Sequence, residues 1–120
     1  MDRQETGRRG EQAAAAYLER VGFAVLDTNW RTKAGEIDIV ARDGDTLVLV
    51  EVKTRRTLTK GTPEDSVTAS KQRRIGRLAS AYLQAMGTEP ADVRFDVVTI
   101  YVLGEDRALL RHHRAAFVVG

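Results

Sequence analysis

Asp38, Glu51 and Lys53 have the residue types and the spacing to do chemistry on a phosphate. Paired carboxylates hold hard divalent cations such as Mg²⁺ and Mn²⁺, which prefer oxygen ligands and keep several of their own waters. The backbone carbonyl of Val52, between Glu51 and Lys53, offers one more oxygen. An amine beside such a cation orients water or stabilises charge on a phosphate. The expected chemistry is therefore metal-assisted attack on a phosphodiester, with Mg or Mn as cofactor. As a bare string, Asp followed by Glu-x-Lys at any of about fifteen spacings would arise by chance about 0.3 times in a chain of this size. Its context supplies the weight.

That context is the stretch from Gly35 to Arg56, GEIDIVARDGDTLVLVEVKTRR. Glu36 to Arg42 alternates polar and apolar residues, the pattern of a strand with one buried face. Asp43-Gly44 is a tight-turn dipeptide. Thr46 to Lys53 is a β-branched and leucine run that suits a strand covered on both faces. With Asp43 and Gly44 as the two turn residues, paired positions sum to 87. Asp38 then lies opposite Leu49 and Glu36 opposite Glu51. Asp38, Glu51 and Lys53 share a face, with the two carboxylates as diagonal neighbours. A slip of one residue would throw them onto opposite faces. The plainer alternative is an edge hairpin whose Glu51 and Lys53 pair with each other in solvent.

The remaining elements must position this hairpin. Thr6 to Val21 reads as a helix, capped by Thr6, stopped by Gly22, with Ala14, Leu18 and Val21 as its core stripe. Glu11 lies on the same inward side, where it can face the helix N-terminus or pair with Arg8 or Arg9. Phe23 to Arg31 reads as a strand, with Phe23, Val25 and Asp27 on one face; Trp30 either covers a sheet edge or stacks on a base. Leu58 to Val67 is a loop beside the acidic pair. Thr68 to Met86 carries a full helical stripe, Ile75, Leu78, Ala79, Tyr82, Leu83 and Met86, with Thr68 or Ser70 as cap and Gly87 as stop. Val93 to Val102 and a short Ala108 to His112 follow as strands, and Asp96 is expected to pair with a cation at the core edge. Adjacent His112 and His113 face opposite ways on a strand and read as structural rather than as a zinc pair.

The chain has 120 residues, 42% hydrophobic and 30% charged, which suits one compact domain over 1–120. With no cysteine, disulfides, thiolate zinc sites and cysteine nucleophiles are excluded. No apolar run approaches the ~20 residues of a membrane span, and the first residues lack a signal-peptide core, so a cytoplasmic protein with no membrane partner is expected. Net charge is only +2, but Lys53 to Arg77 holds eight basic and two acidic residues, eight minus two giving +6. Such asymmetry suits a polyanion, because phosphate contacts supply most non-specific nucleic-acid affinity. Lys71, Gln72, Arg73 and Arg74 occupy the first turns of the second helix, a place unfavourable for cations but suited to a docking phosphate. Arg8, Arg9, Arg31 and Arg55 complete the candidate nucleic-acid contacts. A solvated basic helix is the alternative.

Asp38, Glu51 and Lys53 resemble the D…E-x-K motif of restriction-endonuclease-like nucleases, the arrangement being most similar to archaeal-type Holliday junction resolvases. More closely, GRRGEQAAAAYL, NWRTKAGEIDIVARD and LVLVEVKTR resemble the YraN-like family of small, uncharacterised bacterial proteins, from about Gly7 to about Phe117. The element order itself gives a single mixed sheet flanked by helices, α-β-β-β-α-β-β. The resemblance implies the same fold, restriction-endonuclease-like. It also implies a metal-dependent endonuclease acting on DNA, branched or damaged DNA included, with Glu11 reaching the metal site and a homodimer as the working form. A nucleic-acid-binding module that keeps the fold without cutting is the competing reading.

Overall fold

The computed structural model describes residues 3–56, 68–87, 89–90 and 92–118. The chain runs α1 (Arg3–Arg20), β1 (Ala24–Thr32), β2 (Gly35–Asp43), β3 (Thr46–Arg55), α2 (Ala69–Met86), β4 (Asp92–Gly104) and β5 (Arg107–Val118), the order read from the sequence. One five-stranded sheet holds the strands in sequential order. β3 and β4 pair in parallel, across the crossover that contains α2; the other neighbours are antiparallel. The expected loop from Leu58 to Val67 falls outside the described residues.

Each sheet face buries its own core. Ile37, Val40, Leu47, Leu49, Phe95 and Val97 pack with Ile75, Leu78, Ala79 and Tyr82 of α2. Ile39, Ala41, Val48, Val50, Val98 and Ile100 pack on the other face with Ala14 and Leu18 of α1. Hence β3 reads as an unbroken apolar run: Val48, Leu49 and Val50 are each 1% exposed or less, covered from both sides.

α2 is built as its sequence dictates. Thr68 is the N-cap, its hydroxyl accepting the Lys71 N–H at 3.2 Å. Gly87 ends the helix in the left-handed region at φ 67°, donating its N–H to the Leu83 carbonyl. Met86, expected in the apolar stripe, is 50% exposed. α1 starts earlier than expected and runs through Thr6, which is therefore not its cap. Val21, expected in its core stripe, lies past its last turn and is 44% exposed.

Two strand details depart from the expected pattern. The β2–β3 turn is Gly44-Asp45, with Asp43 paired to Thr46, so paired positions sum to 89. Gly44 takes φ 60°, the positive value that the first residue of a II′ hairpin turn needs. The register thus differs from the expected one by two residues. A shift of two leaves the paired stretch from Ile39 to Val50 on its expected faces, and there only the partners change, while Ile37 beyond it packs on the α2 side rather than with Ile39. In β1 a bulge between Val25 and Asp27 separates residues expected to share a face. Val25 packs with the α1 core, while Asp27 accepts a 2.8 Å hydrogen bond from the Tyr82 hydroxyl of α2. Trp30 packs against the α2 core, edge-on to Tyr82 at 5.1 Å between centroids.

β5 is much longer than the short strand expected. It continues past His112 through Ala115, which takes φ 54° beside the irregularity between Phe95 and Val97. The buried Asp96 anchors this kink. It accepts from Arg94 Nε at 2.8 Å, from Arg94 Nη2 at 3.0 Å and from the Ala115 N–H at 2.9 Å, and His112 Nε2 lies 2.8 Å away. Burial alone would raise the Asp96 pKa, but the bonds from His112, Arg94 and Ala115 overcome it and hold the carboxyl below its ordinary range. The cation expected for Asp96 is Arg94.

Candidate active site

Asp38 sits where the sheet is interrupted. The ladder to β3 extends from Asp43–Thr46 as far as Ile39–Val50, and the ladder to β1 passes from Thr28–Ile39 to Trp30–Ile37 without pairing Asp38. Across from it Asn29 takes φ 53°, a conformation Asn tolerates better than most side chains. The alternation slips at this point, so that Ile37 and Val40 both face α2. The Asp38 carboxylate stands in for the missing ladder bond: its Oδ2 accepts the Val52 N–H at 2.8 Å. An acid is thereby pinned to the backbone between Glu51 and Lys53.

Asp38 and Glu51 line one open cleft of about 60 Å³ with Glu36, Ile37, Leu49, Val50, Ile75 and Phe95. The Asp38 pKa is raised from 3.8 to about 6, first by burial and further by the charges of Glu11, Glu51 and Glu36. The Val52 N–H opposes this rise. Negative charge is therefore concentrated around a half-buried carboxyl. Lys71 Nζ lies 2.8 Å from Glu51 Oε2, and Lys53 Nζ lies 4.0 Å from the same oxygen. All three side chains are largely shielded, at 26% exposure for Glu51, 17% for Lys53 and 19% for Lys71. The solvent-exposed Glu51–Lys53 pair of the alternative hairpin reading does not describe them. Burial lowers the Lys53 pKa from its ordinary range; Glu51 raises it, while Lys71 and Arg55 lower it.

Glu11 enters from α1. Gly10, just before it, is buried against β3, where an added Cβ would collide with Thr54 Oγ1. This close approach brings the start of α1 onto the end of β3, within electrostatic reach of Asp38. Among the described residues, no group of three or more His, Asp or Glu side chains closes into a ready-made metal cage. The acids meet as a cluster of charge around Asp38.

The candidate nucleic-acid residues are spread more widely. Arg8, Arg9, Gln72, Arg73 and Arg74 are exposed on the first turns of the two helices. Arg55 is exposed at the end of β3 and donates to the Thr54 carbonyl at 3.1 Å. Arg31, 75% exposed, lies 3.6 Å from Glu36, a surface pair of small energetic weight. Lys71, on the first turn of α2, binds Glu51 at the acidic cleft. Its bond to Glu51 and the place of Glu36 on the cleft were missed in the sequence. The cap signal at Thr68 could have revealed the first, since it sets Lys71 on the opening turn of a helix packed over the hairpin.

These elements define an α/β protein with an acid-lined cleft at the interrupted part of its sheet, two lysines standing against its Glu51. The profile of a family described as "Uncharacterised protein family UPF0102" matches residues 10–100, and the chain belongs to that family, the YraN-like proteins. It is 50% identical over 111 residues to the UPF0102 protein of Geobacter sulfurreducens, covering 92% of this chain and 87% of that one. It is 54% identical over 94 residues to that of Symbiobacterium thermophilum, covering 78% and 80%. Among solved structures it is similar to Archaeoglobus fulgidus Hjc, a Holliday junction resolvase from an archaeal hyperthermophile, with TM-score 0.48 and 21% identity over 90% of this chain and 76% of that one. No described helix is long and apolar enough to cross a membrane.

Proposed function

We propose that this protein is a Mg²⁺- or Mn²⁺-dependent endonuclease that hydrolyses DNA phosphodiester bonds, with branched or damaged DNA as its substrate class. The observation that carries the reading is the meeting of Asp38 and Glu51 on one cleft, with Lys53 directed at the same Glu51 oxygen. The donor chemistry fits a hard cation: every candidate ligand offers oxygen, and the carboxylates crowding Asp38 leave negative charge that a dication would relieve. Asp38 and Glu51 would hold it, with the Val52 carbonyl and Glu11 in support. Bound there, the cation supplies Lewis acidity to water and phosphate oxygen.

The chain's own groups do the rest. The Val52 N–H fixes the Asp38 carboxylate in one orientation. Lys53 stabilises charge on the phosphate and, with a lowered pKa, exchanges a proton with water more readily than an ordinary lysine. Arg8, Arg9, Arg31, Arg55, Arg73 and Arg74 contact phosphates along the strand. A homodimer would present two such clefts to the paired strands of a junction.

The test is incubation of the protein with four-way, nicked and linear DNA in Mn²⁺. Cleavage of at least one substrate is expected, abolished by EDTA and by Asp38→Ala. If the parent cuts none of them yet binds DNA, the protein is a non-catalytic binding module and the nuclease reading fails.

A further inference from the structure

Lys71 is held in an electrostatically awkward place. It lies on the first turn of α2, where the helix presents its positive end and has no acidic residue of its own. Thr68 binds the Lys71 backbone N–H, so the residue cannot retreat without loss of the cap. Its amine is drawn inward to Glu51 Oε2 at 2.8 Å, closer than Lys53 at 4.0 Å. The amine thus sits on the carboxylate that the nuclease reading gives to the cation.

We propose that Lys71 is an internal counter-ion that occupies Glu51 until the divalent cation displaces it, and that the released amine then serves a DNA phosphate. The inference rests on the nuclease reading and adds a coupling to it. One amine cannot neutralise Glu51 and a phosphate together, and a dication on Glu51 repels it. Its four-carbon stem lets the amine swing while the cap holds the backbone. Arg73 and Arg74, exposed on the same helix start, provide the neighbourhood in which a phosphate would arrive. Cation binding therefore frees a group to bind DNA, and by linkage DNA binding favours the cation.

Calorimetric titration of Mn²⁺ into DNA-free protein tests this, with Ca²⁺-supported DNA binding as a second readout. Lys71→Met should bind Mn²⁺ about 5–50-fold more tightly than the parent, the size of a typical coupling between sites, while binding DNA more weakly. Lys71→Arg, which keeps the charge, should stay within about threefold of the parent, and Arg77→Met, an exposed charge on the same helix, within about twofold. Lys71→Gln repeats the measurement should the methionine variant fold poorly. Detectable Mn²⁺ binding only after Lys71 is neutralised would be the strongest support. Equal or weaker Mn²⁺ binding by the neutral variants Lys71→Met and Lys71→Gln, or equal tightening in Arg77→Met, overturns the inference and leaves the nuclease reading standing. If neither the parent nor any variant binds Mn²⁺, the cation reading and the inference fall together.

Discussion

Lys53 and Lys71 both address Glu51, yet the proposed chemistry gives them different consequences when removed. Lys53→Met keeps most of the stem and deletes the charge and the donors. It should fold, bind Mn²⁺ and bind DNA in Ca²⁺, yet lose about 10²–10³ in single-turnover cleavage, as when one stabilising donor is removed from an active site. Cleavage at the parent rate would make Lys53 a bystander. Asp38 leads to a pH prediction. Its pKa is about 6 in the fold against an ordinary 3.8, so over that interval the folded state holds a proton that the unfolded chain releases. Stability therefore falls as pH rises from about 4 and settles above about 6, once the folded carboxyl is also ionised. Asp38→Asn keeps an acceptor for the Val52 N–H and removes the titration. In metal-free protein at pH 8 it should be about 1–2 kcal/mol more stable than the parent, solvent screening having reduced the full shift. The gain should vanish below about pH 4 in denaturant melts. A gain independent of pH would rule out the carboxyl as its source.

At the scale of elements, the join between α1 and β3 decides whether Glu11 can reach the acidic cluster. Gly10 permits it by bringing helix and strand together at Thr54. Gly10→Ala should lower stability by about 1–3 kcal/mol, as overpacking does. Thr54→Ala removes the hydroxyl that the new methyl would strike, so the double variant should recover at least about 0.5 kcal/mol of the summed losses in a thermodynamic cycle. Strict additivity would show that the two residues do not press on each other. The same logic explains what was legible in the chain. α2 announced both its ends because Thr68 and Gly87 act on their own local backbone. The β2–β3 turn was misplaced by one residue because Asp43-Gly44 and Gly44-Asp45 are both acceptable turn chemistry, and only the packing of the flanking strands chooses between them.

Across the whole molecule the basic residues matter more as a field than as individual partners. Arg73 and Arg74 are exposed, and their side chains make no hydrogen bond or ion pair among the described residues. Reversing both to Glu should weaken DNA binding at every sequence tested and reduce the slope of log affinity against log salt by about two, one for each phosphate no longer neutralised. Unchanged affinity and slope would mark this helix face as merely solvated. Burial should be undisturbed in that variant, since neither side chain belongs to either core.

The sequence by itself determined the order of helices and strands, the two-sided burial of β3 and the shared membership of Asp38, Glu51 and Lys53 in one hairpin. Each is local: side-chain periodicity, cap residues and turn propensity act over a few neighbouring positions. Tertiary structure alone decided the rest. Nothing local predicts that Asn29 turns left-handed across from Asp38, that the ladder lapses there, or that the carboxylate then takes the Val52 N–H. The long course of β5 likewise depends on Asp96 binding Ala115, a partner 19 positions away. Lys71 meets Glu51 only because the crossover lays α2 over the hairpin. Contacts between residues far apart in the chain depend on how whole elements pack, and short-range residue patterns do not encode that geometry.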